Sequence, residues 1–380
     1  MKRWIWRGAM IAGVLAVGGF LVAASGVIPI KASSGHWAVT EWFLRFSMSR
    51  SMATHSLGTE VPRLDDAAMI LKGAGHYETG CRSCHGAPGR PQPRIAQAMT
   101  PKAPELAERI RESNPRKLFQ VVKHGIKFTG MPAWPSQQRD DEVWAMVAFL
   151  MKYPELEDEG YRQLVHGEIS PVPAMQTMAP PDIAPPPPHE VAQTCARCHG
   201  VDGMGRGGEA FPRLAGQRRE YLEDALAAYA KAARHSGIME PVAAGLTEEL
   251  IANLATYYAE LRPGAIEREG AVSADEHEPR TEEDELWRKG EEIALRGIPK
   301  KRVPACVECH GPKGTRTKSE YPSLVGLSEG YVELQLKLFK DGQRGGGPYA
   351  HVMQDVAGRL TDQDRRAAAR YFGTLANAQE

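Results

Sequence analysis

All six cysteines and three of the twelve histidines fall into one repeated arrangement: Cys81-Arg-Ser-Cys84-His85, Cys195-Ala-Arg-Cys198-His199 and Cys306-Val-Glu-Cys309-His310. No cysteine is left over. From the composition, such a pentapeptide arises by chance only about 0.003 times in a chain of this length. Two thiols roughly one helical turn apart can add across the two vinyl groups of a single porphyrin, and the adjacent histidine is then set beneath the iron as an axial ligand. The spacing therefore predicts three covalently bound haem c groups, with His85, His199 and His310 on the irons. A zinc ribbon would bring its two cysteine pairs within about 15–20 residues of each other, whereas these begin at 81, 195 and 306. A redox dithiol would sit in a βαβ setting and has no use for the three following histidines.

A near-constant period implies internal repetition, and the downstream residues repeat as well. A Pro-x-Leu step recurs at Pro104-Leu106, Pro212-Leu214 and Pro322-Leu324, and a candidate sulfur ligand at Met131, Met239 and Met353, which follow the histidines by 46, 40 and 43 residues. Met131 lies in Thr129-Gly-Met-Pro-Ala-Trp134, read as a loop between two helices, with Met239 and Met353 in the equivalent place. A thioether opposite histidine raises the reduction potential and closes the iron to outside ligands. His124, His235 and His351, just upstream of the methionines, are rival ligands, and Met204 reads as a loop residue. The carbonyls of Pro104, Pro212 and Pro322 are the natural acceptors to orient the three ligand histidines.

The elements that must hold these residues read as helices. Asn114 with Pro115 makes an N-cap and first position, and Gly125 a terminator. Asp140 or Asp141 opens the next helix, and Thr247 and Thr361 open their counterparts. No alternating strand pattern of useful length appears, so the expected class is all-α: three tandem haem domains, small enough that the macrocycle is part of each core. The 380 residues, 42% apolar and 25% charged, exclude a disordered chain and a many-span membrane protein. Lys+Arg and Asp+Glu balance at 47 each, so bulk charge gives no reason to expect nucleic acid.

Boundaries follow from composition. Residues 61–153 form the expected first domain, 154–190 a Pro-rich linker, 191–263 the second domain, 264–281 an acidic linker and 282–376 the third. Proline runs favour an extended spacer, so the linkers predict domains that move relative to one another.

Each unit resembles a class I cytochrome c domain. Units two and three together are similar to the two-domain dihaem cytochromes c, through Cys195-Ala-Arg-Cys-His-Gly200, Pro212-Arg-Leu-Ala-Gly-Gln217 and Tyr221, then Cys306 through Gly311, Tyr321-Pro-Ser-Leu324, Tyr331 and Gln335. The first unit resembles the membrane-attached monohaem type found beside respiratory complexes. The resemblance implies electron transfer, without catalysis by the chain itself.

Lys2, Arg3 and Arg7 form a basic cytoplasmic segment, 1–7, ahead of an uncharged stretch, 8–30, which as a helix would reach about 35 Å and cross a bilayer. The positive flank puts the haem domains outside, on the periplasmic face of a bacterial inner membrane. A cleaved signal peptide is the competing reading. Trp37, Trp42, Phe43 and Phe46, within segment 31–60, suit the membrane interface or a partner's transmembrane helix. The expected function is a membrane-tethered trihaem c-type cytochrome that passes single electrons from a respiratory or dehydrogenase donor to a terminal acceptor. The alternatives are a cytochrome subunit of a periplasmic dehydrogenase or terminal oxidase, and a haem peroxidase, which would need an open iron.

Overall fold

The computed structural model describes residues 2–28, 30–167, 194–262, 281–311 and 316–375. Among them the regular structure is helical, with two isolated bridges, Ala87 to Arg90 and Ile298 to Val303, and no named strand. Helix α1 (Lys2–Ala24) and α2 (Ala38–His55) come first. A first group follows: α3 (Ala67–Gly80), α4 (Arg82–His85), α5 (Arg94–Gln97), α6 (Leu106–Arg111), α7 (Pro115–His124), α8 (Asp140–Lys152) and α9 (Asp158–His166). The second group is α10 (Ala196–His199), α11 (Arg219–Ala230), α12 (Met239–Ala243) and α13 (Glu248–Glu260). The third is α14 (Glu282–Arg296), α15 (Val307–His310), α16 (Glu329–Lys340), α17 (Ala350–Gly358) and α18 (Asp362–Thr374).

The helix starts obey local chemistry. Asn114, Thr247 and Thr361 each accept a backbone N–H from the first turn of the helix they precede, and Pro115 takes the first position of α7. Asp364 completes a capping box with Thr361. Gly125 ends α7 at φ +63°, in the region where glycine carries no steric penalty.

Three boundaries differ from expectation. The apolar helix runs from Lys2 to Ala24, not from 8 to 30: the basic residues join its first turns, and Ser25 with Gly26 at φ +70° turns the chain out. It is the one helix among the described residues long and apolar enough to cross a membrane, and none of it is buried. The expected linker, 154–190, begins with structure, because α9 packs on α3 through buried Tyr161 and Val165, and Tyr161 donates to Glu78 at 2.6 Å. The remainder of that linker, and nearly all of 264–281, lies outside the described residues. Met239 opens α12 and Met353 sits within α17, whereas Met131 alone is in a loop. Pro132 keeps Met131 extended; Pro241 instead falls in the first turn of α12, where no N–H is needed.

In the first and third groups, the helix leading to the cysteine pair crosses the closing helix at a glycine. A Cβ on Gly73 would strike the Ala145 carbonyl of α8, and one on Gly290 the Ala367 carbonyl of α18. The first core fills around Tyr77, Phe149, Tyr153 and Tyr161. The third core is divided into separate patches, around Ile293 and Ala368, around Phe372, and around Leu327 and Val332.

The groups also pack on one another, which opposes the independent movement expected from the linkers. Arg206 of the second group donates to the Val165 carbonyl at 2.8 Å and to those of Leu164 and Gln163, at the end of α9. Cations are favoured at a helix C-terminus, where carbonyls lack partners.

Candidate functional site

Each Cys-x-x-Cys-His segment is a single helical turn. His85 N–H donates to the Cys81 carbonyl at 3.0 Å, and His310 N–H to the Cys306 carbonyl at 2.9 Å. No disulfide joins any of the six cysteines. Burial pushes the thiols of Cys81 and Cys306 up to about 12 and raises that of Cys198.

The three histidines are oriented identically. Nδ1 of His85 lies 3.1 Å from the Pro104 carbonyl, that of His199 3.0 Å from Pro212, and that of His310 2.9 Å from Pro322. A carbonyl only accepts, so the bond places the ring proton on Nδ1 and leaves the Nε2 lone pair for a metal. Burial also favours the neutral ring: it lowers the pKa of His85 and His199, and that of His310 to about 4, against a smaller opposing contribution from each carbonyl.

What these residues could hold is clearest in the third group. Cys306, Cys309, His310 and Met353 line one cavity, walled by Ile293, Leu324, Val332, Ala368 and Phe372. The cavity thus lies among the three apolar patches. Arg344 and, from the second group, Arg234 and Tyr221 also line it. Arg344 and Arg234 donate to the Tyr221 hydroxyl at 3.0 and 3.4 Å, and Arg234 to that of Tyr331 at 3.3 Å. Burial alone would raise the Tyr221 pKa, but the two guanidiniums outweigh it and lower it. An apolar cavity with two thiols, a histidine with a free Nε2, a thioether and two buried cations fits an iron porphyrin with its two carboxylates. No group of three or more His, Cys, Asp or Glu side chains converges as a metal cluster among the described residues.

Met131 and Met239 are half-buried. Thr129 Oγ1 accepts from Met131 N–H at 3.1 Å, and Ser236 Oγ from Met239 N–H at 3.0 Å. Of the rival histidines, His124 and His351 are exposed, and His235 lies 3.8 Å from Glu240. Met204 packs with Cys195 in the second core.

The arginines and tyrosines around the third cavity were not singled out as site residues by spacing alone, although a signal exists: Tyr221 and Tyr331, and Arg234 and Arg344, stand 110 residues apart, as do Pro212 and Pro322.

One-turn thiol pairs beside a carbonyl-oriented histidine, in a helical fold around an apolar slot, define a protein built to carry haem by thioether bonds. Residues 68–150 match the family "Cytochrome C oxidase, cbb3-type, subunit III", and residues 189–261 match "Cytochrome c". The "Thiosulfate dehydrogenase electron acceptor" of Thiomonas intermedia is 39% identical, over 51% of this chain and 83% of that protein. Cytochrome c4 of Thiocapsa roseopersicina is 33% identical, over 48% and 86% respectively. The solved cytochrome c4 of Acidithiobacillus ferrooxidans is 31% identical, covers 48% of this chain and 98% of its own, and superposes with a TM-score of 0.38. The chain belongs to the cytochrome c family, whose members transfer electrons.

Proposed function

We propose that the chain is a membrane-tethered trihaem c-type cytochrome, held by α1 with its haem domains on the periplasmic face, which takes single electrons from a dehydrogenase and delivers them to a terminal acceptor at the membrane. Its three domains correspond to residues 61–153, 191–263 and 282–376. The observation that carries this reading is the third cavity, which thiols, histidine and Met353 line together, and the histidine-to-proline contact repeated at all three sites supports it. When bound, haem c supplies a one-electron iron couple, while the protein sets potential, spacing and docking.

His85, His199 and His310, with Met131, Met239 and Met353, would hold the irons. An imidazole and a thioether at each site would favour a carrier over a peroxidase. The names of the relatives support a dehydrogenase donor, with thiosulfate dehydrogenase the first to test. The oxidase-subunit family matched at 68–150 supports placing the first domain, the one next to α1, toward the acceptor. The exposed aromatics of the α2 region, Trp37, Trp42, Phe43 and Phe46, suit the membrane interface.

The test is purification from membranes in mild detergent, with intact mass and haem staining to count attached groups, then rapid mixing with thiosulfate and thiosulfate dehydrogenase. Three haems per chain and reduction within the mixing experiment are expected. Fewer than three attached haems overturns the trihaem reading, and failure to reduce overturns that donor.

A further inference from the structure

Glu142, in the first turn of α8, is 3% exposed although it is a carboxylate. Its partners come from two groups of helices. From the second group, Ser236 Oγ donates to Oε1 at 2.6 Å and Gly237 N–H to Oε2 at 2.7 Å. From the first, Arg139 lies 3.0 Å from Oε1, and the Trp134 indole N–H donates to Oε2 at 3.4 Å. Arg139 also donates to the His235 carbonyl at 2.8 Å, so it grips the same loop.

Ser236 passes the constraint on. While its hydroxyl donates to Glu142, its oxygen accepts from Ile238 N–H at 3.3 Å and Met239 N–H at 3.0 Å. With its one proton and both lone pairs committed, the hydroxyl has a single orientation. Gly237 lies so close to the Trp134 indole that a Cβ there would collide with it. One carboxylate therefore sits between the stretch carrying Met131 and Trp134 and the stretch carrying Ser236 and Met239.

We propose that Glu142 is a positioning residue acting across the junction of the first two groups: through Ser236 it fixes the backbone of Met239, and so holds that sulfur on the second iron. The first group thereby sets the ligation of the second. This rests on the haem reading above. Removing the carboxylate frees the Ser236 hydroxyl to rotate and leaves Glu240, which accepts from Ser236 N–H at 2.7 Å, to hold the start of α12, whereas none of these residues lines the third cavity.

The experiment uses the full-length haem-loaded protein, with four variants: Glu142→Ala, Glu142→Gln, Ser236→Ala and Met239→Ala. Haem content and helical circular dichroism are measured alongside the weak far-red absorption of iron–thioether bonding and the resolved reduction potentials. Glu142→Ala and Ser236→Ala are expected to lose far-red intensity worth one haem and to lower one potential of the three. Glu142→Gln, which keeps an acceptor for Ser236, is expected to restore part of both. Combining Glu142→Ala with Met239→Ala is expected to remove no more than Met239→Ala alone, since coupled residues are not additive.

Full far-red intensity and unchanged potentials in Glu142→Ala, with haem content intact, overturn the proposal. If that variant does not assemble, Ser236→Ala decides by the same criterion. An unchanged spectrum in Met239→Ala overturns the ligand assignment itself, a failure distinct from that of the positioning role.

Discussion

The two junctions between the helical groups are built around different side chains, one around a buried carboxyl and the other around arginines. Between the first and second groups the centre is Glu142, with Arg139 beside it and hydroxyl, amide and indole donors around it. Between the second and third, the second group supplies arginines and an amide, with Glu209 accepting from Gly330 N–H at 2.7 Å at the exposed edge. Arg218 donates to the carbonyls of Lys318 at 2.8 Å and Tyr321 at 2.9 Å, Arg213 to Val325 at 2.9 Å, and Gln217 pairs with both the N–H and the carbonyl of Ser323. The first junction grips the stretch that carries Met239, the ligand proposed for the second site. The second grips the Pro322 segment, whose carbonyl orients His310, and brings Arg234 to the third cavity. One junction is therefore set against a methionine stretch and the other against a histidine-orienting one.

The comparison breaks most forcefully at Arg139. Arg139→Ala leaves the buried Glu142 and the half-buried Asp141 without the guanidinium they share and should cost about 3–5 kcal/mol. Hydrogen exchange should show the loss concentrated at 235–240 and α8, with the second junction unchanged. Arg218→Ala removes charged hydrogen bonds to backbone and should cost about 1.5–3 kcal/mol, with exchange rising at 318–323 and the first junction intact.

A subtler separation uses acid. Burial works against ionisation of Asp364, but Lys301, Lys289 and Thr361 outweigh it and hold the carboxyl well below the usual carboxylate range. A depressed folded pKa adds stability above the unfolded value near 4, and that stability is lost as pH falls toward the folded value. Acid titration should thus weaken the α14–α18 pair of the third group, and Asp364→Asn should flatten that limb at a cost of about 1–2 kcal/mol at neutral pH. The smallest effect is that of salt. Raising ionic strength from about 0.1 to 1 M shortens screening from roughly 10 to 3 Å. It should loosen the exposed Arg45–Glu41 pair of α2 and leave exchange at both buried junctions unaltered.

Much of each site was legible because its determinants are local. Cysteines and histidine share one helical turn, caps act within three residues, and the prolines that offer carbonyls to the histidines each head a Pro-x-Leu motif 12 to 19 residues downstream. The junctions were not legible because their partners lie far apart in sequence. Glu142 and Ser236 are 94 positions apart, and in the chain a glutamate in a first helical turn reads as a solvated residue that suits the helix dipole. Helix α9 was hidden by the prolines that follow it: its apolar residues, Tyr161 and Val165, are too few to stand out until α3 is there to cover them. The short helices at Met239 and Met353 were missed because the loop around Met131, with its two prolines, is the atypical member of the three.

The clasp of Arg206 on the end of α9 has a consequence for engineering. Its guanidinium also donates to the Arg197 carbonyl at 2.6 Å, so residues 163–165 and 197 are bound to one side chain. Both flanks of the proline-rich stretch are thereby tethered at a fixed gap that does not depend on the length between them. Doubling the number of residues in a loop whose ends are held adds only about 0.6 kcal/mol of closure entropy. Insertions there should be absorbed almost freely, while Arg206→Ala would remove this clasp and leave the Glu142 and Arg139 contacts to hold the two groups together.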